Sequence, residues 1–118
     1  MPRRTSFRLP LHPASVGLAR RRAREHLAGS DARPDDTMVD DTVLIVSELV
    51  TDAVREGPDL EREFEVTVEL RPDGSCLVEV SDASRPAPEP RTEWNLLDTL
   101  CTTWGTRPHT TWAVLPPR

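Results

Sequence analysis

Apolar and polar residues alternate strictly over 64–70, where Glu65, Thr67 and Glu69 separate Phe64, Val66, Val68 and Leu70. A period of two is that of a strand with one face in a core and one in water. The turn sequence Pro72-Asp73-Gly74 follows, after which Cys76, Val78 and Val80 resume the alternation. The two runs therefore predict a β-hairpin, with Asp82 directly after its second strand. Two upstream stretches carry the helical period instead. Val16, Ala19, Ala23 and Leu27 recur at helical spacing between Pro13, which suits a helix start, and Gly29, which suits a stop. Val43, Val46, Leu49, Val50, Ala53 and Val54, flanked by Ile45, share one broad face of a second helix predicted over 37–56. Asp35-Asp36-Thr37 supplies its cap and Gly57-Pro58 its end.

The remaining segments are shorter. Residues 6–11 alternate around Pro10, which suits an edge strand. Residues 83–92 contain three prolines and predict a surface loop. Leu96, Leu97, Leu100, Cys101 and Trp104 form the apolar stripe of a third helix, and 110–115 reads as a closing strand. The order strand, helix, helix, hairpin, helix, strand predicts an α+β two-layer sandwich, with a mixed, mostly antiparallel sheet and helices on one face. A chain of 118 residues suits one domain over 1–118, with a core at about 7–115.

Composition narrows the chemistry. All fifteen basic residues are arginine, which excludes a Walker-type phosphate loop and any lysine nucleophile or Schiff base. The net charge of -5 argues against general nucleic-acid binding. No apolar run approaches the ~20 residues of a membrane span, and the first residues lack a secretion signal, so the expected location is the cytoplasm. Cys76 and Cys101 fall at apolar positions, as free buried cysteines do, and the histidines show no metal-ligand spacing.

Three features are candidates for function. The cluster Arg20, Arg21, Arg22, Arg24 occupies the polar side of the first helix, either as a solvated face or as a contact surface for an acidic partner. Glu48 and Asp52, four residues apart, project together at the border of the second helix's apolar face. Like charges at that spacing repel mildly. Asp82 either forms a turn or presents a carboxylate to a pocket at the end of a strand.

Three pieces in this order, V-S-E-L-V-T-D-A-V (46–54), V-E-V-S-D-A-S-R-P (78–86) and L-L-D-T-L (96–100), resemble the anti-sigma-factor serine kinases of the GHKL ATPase superfamily. The resemblance spans roughly residues 7–115 and implies a histidine-kinase-like ATPase fold. It also implies ATP and Mg²⁺ as cofactors, a homodimer, and a sigma factor or anti-anti-sigma protein as partner. It makes Glu48 the general base toward a substrate serine and Asp82 the acceptor of the adenine amino group. Asp52 stands where the family carries a Mg²⁺-holding asparagine; it is a hard oxygen ligand, but adds negative charge beside a triphosphate. The segment after Asp82 departs from the family. The lid is short, and no glycine lies between Gly74 and Gly105 to let backbone amides approach the phosphates. Glu93 and Trp94 stand there instead, with Arg85 and Arg91 as substitute phosphate contacts. Two functions follow from the resemblance: a regulator working through protein contacts with a decayed nucleotide site, or an active Mg-ATP-dependent protein serine kinase acting on an anti-sigma antagonist. An unrelated two-layer domain is the third reading.

Overall fold

The alternating run becomes the longest strand of the protein, whose computed structural model describes residues 3–55, 59–83 and 95–117. In chain order the elements are β1 (Arg4–Leu11), α1 (Ala14–Ala28), α2 (Asp36–Arg55), β2 (Asp59–Leu70), β3 (Cys76–Ser81), α3 (Asn95–Leu100), β4 (Thr103–Arg107) and β5 (Thr110–Leu115). Among the described residues the strands form one sheet in the order β1-β2-β3-β5-β4. Every pairing is antiparallel, so the expected mixed sheet lies wholly at its antiparallel limit.

The hairpin register sets which residues enter the core. Val66 faces Val80 and Val68 faces Val78 across β2 and β3. The turn is closed by Gly74 N–H donating to the Arg71 carbonyl (2.9 Å) and Arg71 N–H donating to the Ser75 carbonyl (2.8 Å). Gly74 sits at φ 88°, a left-handed conformation that disfavours any residue with a Cβ. On the inner side, Phe64, Val66, Val68, Leu70, Cys76, Val78, Val80, Ala113 and Leu115 are buried. They meet Ala19, Ala23 and Leu27 of α1 and Val46, Leu49, Val50 and Ala53 of α2.

The outer side of the sheet is polar over β1 and β2 and carries Leu77, Trp112 and Val114 on β3 and β5. Arg4 pairs with Glu69, Arg8 with Glu65 and Arg107 with Glu79. Ser6 and Ser81 share hydrogen bonds with Thr67 and Thr110. The helices therefore lie on one face, as the alternation requires.

Local chemistry fixes the helices. Asp35 Oδ1 accepts the Met38 N–H at 2.8 Å, capping α2 in the expected manner. The predicted apolar face of α2 is buried, together with Met38, Val39 and Thr42. On α1 the first inward position is Ser15 rather than Val16. Its hydroxyl donates to the Pro10 carbonyl at 2.6 Å, and so satisfies a group that burial would otherwise leave costly.

One expectation fails at the third helix. It ends at Leu100, and Trp104 lies instead in β4, an edge strand absent from the predicted order. Thr102 and Thr103 are β-branched and poor in a helix, and the chain gains a strand ladder with β5. The apparent helical stripe survives across the break because Trp104 Nε1 donates to Asp98 Oδ1 at 2.7 Å, tying β4 to α3. Gly105 is set opposite Trp112, where a Cβ would come within 3.0 Å of the indole. Glycine there lets the ring lie across the edge strand. No helix among the described residues is long and apolar enough to cross a membrane.

Candidate functional site

α2 and β3 converge on one end of the domain. Buried Thr42 of α2 lies beside Cys76 at the start of β3, in the core that packs the two elements together. From there α2 continues ten residues to Asp52, about 15 Å of helix, and β3 continues six residues to Asp82, about 20 Å of strand. Asp52, near the end of α2, and Asp82, just past Ser81 of β3, therefore both lie toward the end away from the β2–β3 turn, with Glu48 one turn earlier on α2.

Their environments differ. Glu48 is half-buried on α2. Asp52, one turn further along, is only 3% exposed. The two carboxylates therefore straddle the border of the apolar face rather than sharing it, a correction to the helical-wheel reading. Asp82 is also drawn in, at 4% exposure, and its backbone N–H donates to the His109 carbonyl at 2.9 Å, locking it to the start of β5. It is a buried carboxylate at a strand end, not a solvated turn former.

The residue that sequence reasoning missed is Arg62. Its Nη2 donates to Asp82 Oδ2 at 2.8 Å. Arg62 lies two residues before Phe64 on β2, and Asp82 two residues after Val80 on β3. Both continue the inward alternation past the apolar core, so they meet at its rim. The parity of Arg62 was the available signal. An arginine at an inward position of a strand needs an acid partner, and Asp82, diagonal to it just past the end of β3, supplies one.

This pair bears on what the site accepts. A carboxylate that receives an adenine amino group must offer an oxygen to a neutral N–H donor. Here a guanidinium already holds Oδ2 through a charge-assisted hydrogen bond, the stronger kind. Arg62 commits one oxygen, Oδ2, of a carboxylate that can accept several hydrogen bonds, so an adenine amino group would compete with the guanidinium for Asp82. The fit for Mg²⁺ is different in kind. Glu48 and Asp52 offer carboxylates a turn apart, but among the described residues no group of three or more His, Cys, Asp or Glu forms a metal site. An ion there would need phosphate oxygens and water for the rest of its shell. Arg85, Arg91, Glu93 and Trp94 lie outside the described residues.

Arg20 and Arg24 are exposed on α1. Arg24 Nη1 donates to Asp40 Oδ1 at 3.0 Å, tying α1 to α2. Leu44 of α2 is an apolar side chain left 48% exposed.

Neither cysteine serves the site. Cys76 and Cys101 are free thiols. Burial pushes both thiols up to about 11; Asp41 and Asp98 add to the effect at Cys101. At pH 8 the thiolate fraction is then on the order of one in a thousand. Native protein is expected to resist alkylation at that pH and to react fully once unfolded. Stability should fall as pH climbs from 9 to 11, because the unfolded chain releases these protons first. Rapid alkylation of the native protein, followed by mass spectrometry, would contradict this picture.

No model of a known protein family matches the chain, and no curated protein matches it. Among solved structures, it is similar to the crystal structure of the RsbU and RsbW domains of Rv1364c from Mycobacterium tuberculosis, with a TM-score of 0.71 and 22% identity. The match covers 98% of this chain and 32% of that one, so the chain spans about a third of that structure's length. The likeness is one of architecture: an α+β sandwich whose helices cover one face of an antiparallel sheet, as in an RsbW-like ATPase fold.

Proposed function

We propose that the chain is a regulator of the anti-sigma-factor kinase type, controlling transcription through contact with a sigma factor or an anti-anti-sigma protein, with nucleotide binding and kinase activity weak or lost. The observation that carries this reading is the Arg62–Asp82 pair, which commits one oxygen of the carboxylate an adenine would need and neutralises its charge. The fold likeness and the ordered motifs supply the regulatory class. In this reading the domain works by surface complementarity, and the homodimer implied by the resemblance presents two such surfaces.

The contact surface is the α1–α2 layer. Arg20 and Arg24 provide guanidinium donors for acidic groups, and Leu18 and Leu44, 38% and 48% exposed, provide apolar area beside them. Arginine next to exposed leucine suits an interface with an acidic partner. Charge reversal by Arg20→Glu with Arg24→Glu is expected to weaken the complex with a sigma factor or anti-anti-sigma protein at least about tenfold in calorimetry. The melting midpoint should change little, since the exposed Arg24–Asp40 pair contributes only about 0–1 kcal/mol. Unchanged affinity would remove this surface from the interface.

The second reading is an active Mg-ATP-dependent protein serine kinase. It is favoured by one observation, the placement of Glu48 and Asp52 one turn apart at the same end as Asp82. Glu48 would take the proton of a substrate serine, Asp52 would hold the ion, and Asp82 would bind adenine in competition with Arg62.

A further inference from the structure

The opposite end of the domain carries a second concentration of unused arginine. A cavity of about 240 Å³ lies between the start of β1, the α1–α2 loop and the β2–β3 turn. Arg3, Arg33 and Arg71 line it, one from each of these segments, above a floor that includes Pro34, Met38 and Leu70. Asp52 is fourteen residues along α2 from Met38, roughly 21 Å of helix, so this cavity is separate from the candidate site.

The surroundings leave the three cations without a direct carboxylate partner. Among the described residues, no carboxylate lies within ion-pair distance of Arg3, Arg33 or Arg71. The lining contains no acid. Two acids flanking it in sequence are committed elsewhere. Asp35 caps α2 through Met38 N–H, and Asp73 accepts both the backbone N–H and the hydroxyl of Ser75 at 2.9 and 2.6 Å. Those hydrogen bonds hold the Asp73 carboxyl below its ordinary range; Arg71 adds a smaller electrostatic effect.

The segments that carry the arginines are held in place by the backbone. Leu70 N–H donates to the Arg3 carbonyl at 2.8 Å, and Arg71 is bonded across the turn to Ser75 at 2.8 Å. Arg33 N–H donates to the carbonyl of the buried Ser30 at 3.1 Å. Arg33 also sits at φ 47°, a conformation uncommon for a residue with a Cβ.

We propose that this cavity is an oxyanion site for a small phosphate-bearing ligand. Guanidinium groups present paired N–H donors that match phosphate oxygens, and three of them from separate segments can hold one such group from several sides. The volume is below the roughly 300 Å³ of ordinary ligand pockets, which suits only a small ligand, and Met38 and Leu70 in the lining can meet a compact apolar portion beside the phosphate. Binding would relieve repulsion among the cations and fasten the α1–α2 loop to the hairpin turn. The inference does not rest on the regulatory reading, because no part of the Asp82 site enters it.

The test is a titration of the intact protein with inorganic phosphate and with pyrophosphate, against sodium chloride at matched ionic strength, followed by amide NMR. The expected result is saturable shifts at Arg33, Arg71 and Gly74 with phosphate and pyrophosphate but not with chloride. Arg33→Gln with Arg71→Gln should raise the midpoint at least about tenfold, while Arg8→Gln, 70% exposed on β1, leaves it unchanged. If the double variant loses its dispersed spectrum, Arg3→Gln and Arg33→Gln singly must each raise the midpoint. Equal response to chloride and phosphate, or wild-type phosphate binding by the substituted proteins, would overturn the proposal.

Discussion

Replacing Arg62 with alanine is expected to lower the unfolding free energy by about 2–3 kcal/mol, measured by urea denaturation at neutral pH. Removing one partner of a buried pair typically costs about 3–5 kcal/mol, because the other charge is left in a poor dielectric. The lower figure applies because the Arg62 side chain is 38% exposed, so solvent already screens part of the interaction. The two partners are not equivalent. Asp82 is 4% exposed and has little water to replace the guanidinium, whereas Arg62 can turn its head group outward. Asp82→Ala should therefore cost less than Arg62→Ala. The double replacement Arg62→Met with Asp82→Leu should recover most of the loss, since an apolar pair of similar volume removes both desolvation costs. Wild-type stability in Arg62→Ala would show that the pair is incidental.

The same pair marks where sequence reasoning reached its limit. The hairpin was legible because its alternation, its Pro-Asp-Gly turn and its buried valines all specify one register, and Val66 does face Val80. The face of α2 was legible for a similar reason, with the Asp35 cap agreeing with the apolar period. Local signals gave out where neighbours decide. The 96–104 stripe has a helical period, yet the strand pairing of Trp104 with Ala113 is a tertiary gain that no local window contains. Glu48 and Asp52 look equivalent on a helical wheel, but sheet packing buries Asp52 and leaves Glu48 half-open. Asp82 was visible as a carboxylate at a strand end, while its neutralisation by a residue twenty positions earlier required the β2–β3 register.

Loss of nucleotide affinity is the second large effect expected. A change from micromolar to millimolar dissociation constants is about 4 kcal/mol. Three features each remove part of that. An adenine amino group, a neutral donor, would compete for Asp82 with the stronger Arg62 guanidinium on Oδ2. The absence of glycine between Gly74 and Gly105 denies the phosphates a close backbone approach. Asp52 adds a negative charge beside the triphosphate that only a bound divalent ion would offset. The central claim, a regulatory domain whose adenine carboxylate is already engaged by Arg62, is tested most directly by calorimetric titration of the wild-type protein with Mg-ATP. The account predicts no saturable heat up to millimolar nucleotide. Micromolar binding that Asp82→Ala abolishes would contradict it.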